Sequence, residues 1–278
     1  MSNYESLTPP DDSFATRKMR LLRDSWCTFD VDEKLSNWVT HALPAARETL
    51  NDPRQAQWLR YQGTWFAGVN ALPNDANGRL PGGPPLAGKV IDFVHEVLEL
   101  RDFVWDRAQV SICYPGYPQP MQGQSAPLHR FRRDRDAAHV DGLLPEGPDR
   151  RRHLREHHAF ILGIPMVPFS ADASPFVVWE GSHHVIRDAL RARLHGIDPS
   201  QWGEQDITDA YQGARREVFE RCRRVEIHVN PGQAFLAHRL SVHGMAPWDE
   251  NAIATDDGRM IAYFRPEFVD VAPWLEWD

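Results

Sequence analysis

The sequence predicts a mainly β protein, a β-sandwich or jelly roll, with a helical layer on its N-terminal side and a helical insertion between two strands. Three observations predict it. From about residue 109, short segments rich in β-branched and aromatic residues recur, punctuated by Gly, Pro, Asp or Asn. Helices do not alternate with them, which argues against a parallel doubly wound sheet. The first hundred residues instead carry apolar positions three and four apart, the period of helices.

In chain order, residues 1–105 read mainly as helical support. Leu35, Trp38, Val39 and Ala42 form one helical stripe, and Pro44 suits the first turn of a second helix, PAARETL. The loop ALPNDANGRLPGGPPL follows, dense in residues that break regular structure. Leu86, Val90, Ile91, Val94, Val97 and Leu98 then make another stripe ending near Arg101. The jelly-roll body spans 106–270, with strands expected at QVSICY, HAFILGIPMV, SPFVVW, RVEIHV, QAFLAH and RMIAYF. The insertion, about 186–222, is marked by Ile207, Tyr211, Ala214, Val218 and Cys222 at helical spacing, with Asp206 as its N-cap. Its place outside the strand pattern suggests a lid over the site. With 278 residues, 42% of them hydrophobic, the chain supports one domain over 1–278.

A formal net charge of −8 argues against nucleic-acid binding through bulk positive charge. No run approaches the ~18 apolar residues that a membrane span needs. Residues 1–20 show no apolar core behind a basic start, so a cleaved secretion signal is not expected. Cys27, Cys113 and Cys222 are odd in number and far apart, which fits reduced thiols in the cytoplasm. Nothing in the sequence speaks to oligomeric state.

The chemistry begins at His139-Val140-Asp141. On a strand, residues i and i+2 share a face, so an imidazole and a carboxylate converge. A distant second imidazole would complete a 2-His-1-carboxylate facial triad, which leaves adjacent positions of an Fe(II) ion open. The tripeptide alone is weak evidence, because about one such match is expected by chance and an Asp–His hydrogen bond would explain it. In Asn230–Trp248, His238 and His243 are five apart and face opposite sides of a regular strand, so only one can join. His243 is preferred: it stands at a strand end beside Gly244, which leaves space for a ligand, whereas His238 reads as a core or supporting histidine. On GRMIAYFRPEF, Arg259, Ile261, Tyr263 and Arg265 share a face. An arginine inside a β-body is costly unless it meets an anion, although a strand-end ion pair at the surface is the simpler account. Arg265, beside Pro266, takes that structural reading.

These motifs, in this order, resemble the phytanoyl-CoA dioxygenase family over roughly residues 111–267. Asp172–His184 is similar to that family's turn and strand ending in Pro-Gly-Ser-His, with Glu180 where proline is usual. His238 and His243 match its paired histidines, the second being the ligand, and Arg259 matches its 2-oxoglutarate arginine. Met245 and Ala246-Pro247-Trp248 replace its usual Ser and Asn, and the gap to Arg259 is longer than typical. The resemblance implies a double-stranded β-helix (jelly roll), and iron held by His139, Asp141 and His243. It also implies 2-oxoglutarate as co-substrate anchored by Arg259, with O2 consumed and succinate and CO2 released. A carboxylate at Asp141 favours hydroxylation over halogenation, which in such enzymes needs a small residue there to admit halide.

Arg130, Arg132, Arg133, Arg135, Arg150, Arg151, Arg152 and Arg155 crowd the same region and could attract an anionic small-molecule substrate. Asp134, Asp136, Asp149 and Glu156 are interleaved with them, so a solvated, self-paired surface is the first expectation. The remaining histidines suggest no second metal, and Trp179 and Trp202 read as core. Two rivals stay open. One is a cupin-like metalloenzyme that uses the same ligands without 2-oxoglutarate. The other is a binding protein on the same fold without turnover.

Overall fold

The computed structural model describes residues 13–101 and 103–277. The expectation about a leader in residues 1–20 therefore falls largely outside it. Helix α1 (Phe14–Asp24) leads into strand β1 (Trp26–Phe29), and helix α2 (Glu33–Glu48) follows with Asp32 capping its first turn. Two short strands, β2 (Leu59–Arg60) and β3 (Trp65–Phe66), precede helix α3 (Lys89–Asp92), which continues as a π-helical turn over Phe93–Val97. The body then runs through β4 (Gln109–Cys113), α4 (Ala126–Asp134), β5 (Leu143–Glu146), β6 (Arg151–Leu154), β7 (Phe160–Pro165) and β8 (Phe176–Trp179). Helices α5 (Ser182–Leu194) and α6 (Thr208–Arg221) interrupt it. Strands β9 (Arg224–Ile227), β10 (Ala234–His238), β11 (His243–Met245) and β12 (Arg259–Phe264), and the short helix α7 (Pro273–Glu276), complete the chain.

All strand pairings are antiparallel. A seven-stranded sheet has the order β1-β10-β7-β12-β4-β3-β2; a three-stranded sheet has the order β11-β8-β9; β5 and β6 form a hairpin. The period of two distributes the side chains between two cores. Cys113, Ile161, Phe235, Ile261 and Tyr263 point from the large sheet toward Phe176, Val178 and Ile227 of the small one. Ile112, Leu162, Leu236, Ala262 and Phe264 point the other way, under the helices, where Trp38 packs against Phe264 with ring centroids 5.7 Å apart. Gly163 lies opposite Phe235, and a Cβ there would sit 2.2 Å from its ring, so glycine is what lets this aromatic fill the space between the sheets. The result is mainly antiparallel β in a jelly-roll-like sandwich with one face of the large sheet under helices.

All six strands expected in the body are present. The N-terminal third differs from expectation. Besides helices, it supplies β1 at one edge of the large sheet and β2–β3 at the other; strands of two to four residues are too short to display a period. Pro44 lies inside α2, so one helix stands where two were expected. The insertion begins earlier, at Ser182, directly behind β8. The N-cap of α6 is Ile207, not Asp206 as expected; Asp206 stands one residue earlier and accepts from the Thr208 backbone N–H at 2.9 Å. Neither α4 nor the β5–β6 hairpin was expected; α4 has no buried residue, so no core stripe marks it. Among the described residues, no helix is long and apolar enough to cross a membrane.

Candidate metal centre

His139 lies outside any regular strand, yet it pairs with the first residue of β11. The His139 N–H donates to the His243 carbonyl at 2.8 Å and the His243 N–H donates to the His139 carbonyl at 2.9 Å. Residues exchanging both bonds in an antiparallel pair project their side chains to the same face, and the two rings lie 4.7 Å apart. Asp141, two residues on, joins them. One nitrogen from each imidazole and one Asp141 oxygen all lie within 4.8 Å of one another.

The surrounding backbone holds this geometry. Asp136, buried, accepts a forked pair of hydrogen bonds from Arg224 at 2.7 and 2.8 Å, and its carbonyl accepts the Met245 N–H at 2.9 Å. A Cβ on Gly244 would stand 2.2 Å from that carbonyl oxygen. Gly244 therefore admits the Asp136 backbone, not a ligand as its position beside His243 had suggested. From behind, the Val140 N–H donates to the Tyr211 hydroxyl of α6 at 3.2 Å.

Each imidazole is pinned through Nδ1, His139 to the Ala137 carbonyl and His243 to the Ser241 carbonyl, both at 3.0 Å. A carbonyl can only accept, so Nδ1 carries the proton and the neutral ring offers a bare Nε2. Those Nε2 atoms lie 3.1 and 3.5 Å from the two Asp141 oxygens. Three electron-pair donors facing one another repel unless a cation sits among them. Metal–ligand bonds of about 2.0–2.2 Å put adjacent ligands of an octahedron about 3 Å apart, close to both spacings. Burial alone would raise the Asp141 carboxyl, but the Arg265 guanidinium, foremost of the groups that lower it, helps hold it well below the usual carboxylate range. His139 is shifted down, chiefly by desolvation in the cleft, although 45% of its side chain remains exposed at the mouth.

Arg265 requires a correction. It is not in a surface ion pair: its guanidinium reaches Asp141 Oδ2 at 3.2 Å and Gln109 Oε1 at 2.8 Å inside the cleft. Arg259 points from the same strand face into the space between the sheets and is 0% exposed. It donates to the Tyr263 hydroxyl at 3.0 Å and contacts Met245 Sδ at 3.5 Å, and both partners line the cleft. Its Nε has no hydrogen-bond partner, and no carboxylate among the described residues pairs with it. His238 lies on the helical side of the sheet, its ring against His183 and Trp277, away from the triad.

A cleft of about 570 Å3 opens at the triad. Tyr61, Trp65, Leu128, Phe131 and Phe176 give it apolar walls. The helical insertion contributes Arg215 alone to the lining; α4 provides Leu128, Phe131 and Arg132, so the element over the cleft is not the insertion. Arg215 and Gln109 carried no signal in the sequence, because neither breaks a period nor joins a motif.

No protein-family model matches the chain, and no curated protein matches it. Among solved structures, it is similar to the non-heme alpha ketoglutarate dependent epimerase SnoN from nogalamycin biosynthesis, at 13% identity and a TM-score of 0.50, covering 92% of this chain and 80% of that one. SnoN in complex with Fe3+, alpha ketoglutarate and nogalamycin RO gives 14% identity and a TM-score of 0.51 over 92% and 83%. EctD from S. alaskensis with 2-oxoglutarate and 5-hydroxyectoine is 15% identical with a TM-score of 0.48 over 94% and 79%. At these identities the likeness to SnoN bears on the fold.

Proposed function

We propose that the chain is an Fe(II)- and 2-oxoglutarate-dependent dioxygenase of the double-stranded β-helix type, similar to the phytanoyl-CoA dioxygenase family, that hydroxylates a small organic substrate. The observation that carries the reading is the pair of imidazoles pinned through Nδ1, whose bare Nε2 atoms converge on Asp141. Two nitrogens and one carboxylate on one side of a cleft suit a non-haem ferrous ion that keeps an open face. SnoN, whose fold this chain resembles, is described as holding Fe3+ and alpha ketoglutarate.

The residues also fit the co-substrate. Arg259 is a fully buried guanidinium with an orphaned Nε and, among the described residues, no carboxylate partner, an arrangement that a carboxylate would complete. Arg265 is a weaker candidate, since Asp141 already answers its charge. Tyr263, bonded to Arg259 and lining the cleft, would share the distal carboxylate. When bound, iron and 2-oxoglutarate supply an O2-derived oxidant for C–H hydroxylation, with succinate and CO2 released. The chain's own residues fix both imidazole tautomers, keep Asp141 ionised, and surround the reacting carbon with aromatic walls that exclude water.

Anaerobic loading with Fe(II) followed by 2-oxoglutarate tests this. A metal-to-ligand charge-transfer band, and succinate release coupled to O2 uptake, are expected. Metal without the band would favour the cupin-like enzyme, and the band without turnover on any substrate would favour the binding protein.

A further inference from the structure

The arginine-dense stretch reads in the sequence as a self-paired surface, and the structure divides it differently. Asp134 pairs with Arg133 at 2.7 Å, Glu146 with Arg155, and Asp136 with Arg224, a residue from β9. Of the acids interleaved in the stretch, Asp134 and Asp136 are occupied in this way, Glu156 lies against His158 at 3.2 Å, and Asp149 forms no ion pair among the described residues. Arg132, Arg150 and Arg152 are thus left lining the cleft, joined there by Arg60 and Arg215. None of these five has a carboxylate partner within ion-pair distance among the described residues. Among the described residues, the acids lining the cleft are Asp136, bound by Arg224, and Asp141 of the triad. A chain of net charge −8 thus concentrates uncompensated positive charge at one cleft.

Three of these guanidiniums are held in place without being neutralised. Arg132 lies over the Tyr61 ring at 4.3 Å and donates to the Tyr117 hydroxyl at 2.9 Å. Arg215 lies over Phe131 at 5.0 Å and Tyr211 at 5.4 Å, and Arg152 donates to the Leu143 carbonyl at 2.6 Å. Aromatic faces and carbonyls orient a guanidinium while leaving its charge and remaining N–H donors for a ligand. Burial, and after it the like charges of Arg215 and Arg150, press the Arg152 pKa down, and a bound anion would offset the latter.

We propose that the substrate carries a multiply charged oxyanion, a phosphate ester or a dicarboxylate, which Arg132, Arg152 and Arg215 grip while its reacting carbon reaches the triad. This names the substrate class for the activity proposed above and rests on that reading only for the chemistry. Anion binding by the cleft does not need iron.

Calorimetric titration of the metal-free full chain at matched ionic strength tests it, with inorganic phosphate, pyrophosphate and malonate as probes. One site per chain is expected, weakened at least tenfold in Arg152→Gln and in Arg215→Gln. Arg133→Gln, whose side chain pairs with Asp134 and is not among the cleft-lining residues, should leave it unchanged. Because Arg215 packs on two aromatic rings, thermal melts accompany each variant, and Arg150→Gln, an exposed position, provides a second probe if Arg215→Gln unfolds. Preference for the phosphates identifies a phosphate ester, and preference for malonate a dicarboxylate. Arg259→Met should keep this titration while shifting the 2-oxoglutarate charge-transfer titration to higher concentration, so failure of the iron reading and failure of this one are distinguishable. No binding of any probe, or binding indifferent to Arg150, Arg152 and Arg215, would overturn the proposal.

Discussion

Replacing Arg259 with methionine removes a buried charge and keeps most of its volume, and the structure predicts opposite effects on stability and on co-substrate binding. In the protein alone the guanidinium is 0% exposed, has an orphaned Nε and pairs with no carboxylate among the described residues; the Tyr263 hydroxyl and the rings of Phe169 and Tyr263 partly offset its desolvation. Exchanging such a group for an apolar one is neutral or stabilising by about 1–3 kcal/mol. With 2-oxoglutarate bound, the same exchange leaves a carboxylate buried and unpaired, which costs about 2–5 kcal/mol, or roughly thirty-fold to several thousand-fold in affinity. Arg259→Met should therefore melt no earlier than wild type while its charge-transfer titration with 2-oxoglutarate shifts by at least that lower factor. Arg259→Lys should recover part of the affinity, because an ammonium lacks the forked geometry. An earlier melt together with an unchanged titration would refute the reasoning and make Arg259 a structural residue. A large shift in Arg265→Ala instead would move the anchor to Arg265.

Metal analysis of anaerobically loaded protein should give about one equivalent per chain, with loss in His139→Ala, Asp141→Ala and His243→Ala; His238→Ala should keep the metal and lose stability. Gly244→Ala forces a Cβ onto the Asp136 carbonyl, so it should cost about 1–3 kcal/mol in unfolding titrations and weaken metal binding, since His243 is displaced with it. Burial, aided by His184, Arg187 and Arg239, pushes His183 down to about 3 from its ordinary 6.5. The folded state thus keeps it neutral while the unfolded chain takes up a proton. Its contribution is complete above about pH 6.5 and is lost progressively from there toward pH 3, up to about 5 kcal/mol. His183→Gln should flatten that part of the stability–pH curve, and an unchanged slope would count against it.

The body strands were legible because short runs rich in β-branched and aromatic residues, bounded by Gly, Pro, Asp or Asn, mark strands buried on both faces, as β7 and β12 are at all six positions. The period of two along a strand put Arg259 and His238 on their respective faces, whereas His139 and Asp141, outside any regular strand, are set beside His243 by the His139–His243 bridge. Strands β1, β2 and β3 escaped, since two to four residues set no period and their identity comes from the edges they find. Helix α4 escaped because its apolar residues, Leu128 at 55% exposure among them, face a cleft and not a core.

By itself, the sequence determined the alternation of faces, the chemistry of the side chains offered, and which of them lie two residues apart. Tertiary structure alone decided which charges meet. Arg265 answers Asp141, and Arg224 takes Asp136 away from its neighbouring arginines, across separations of 124 and 88 residues. Side-chain orientation is local and repeats along the chain, whereas an ion pair falls off with distance in space, which sequence separation does not record.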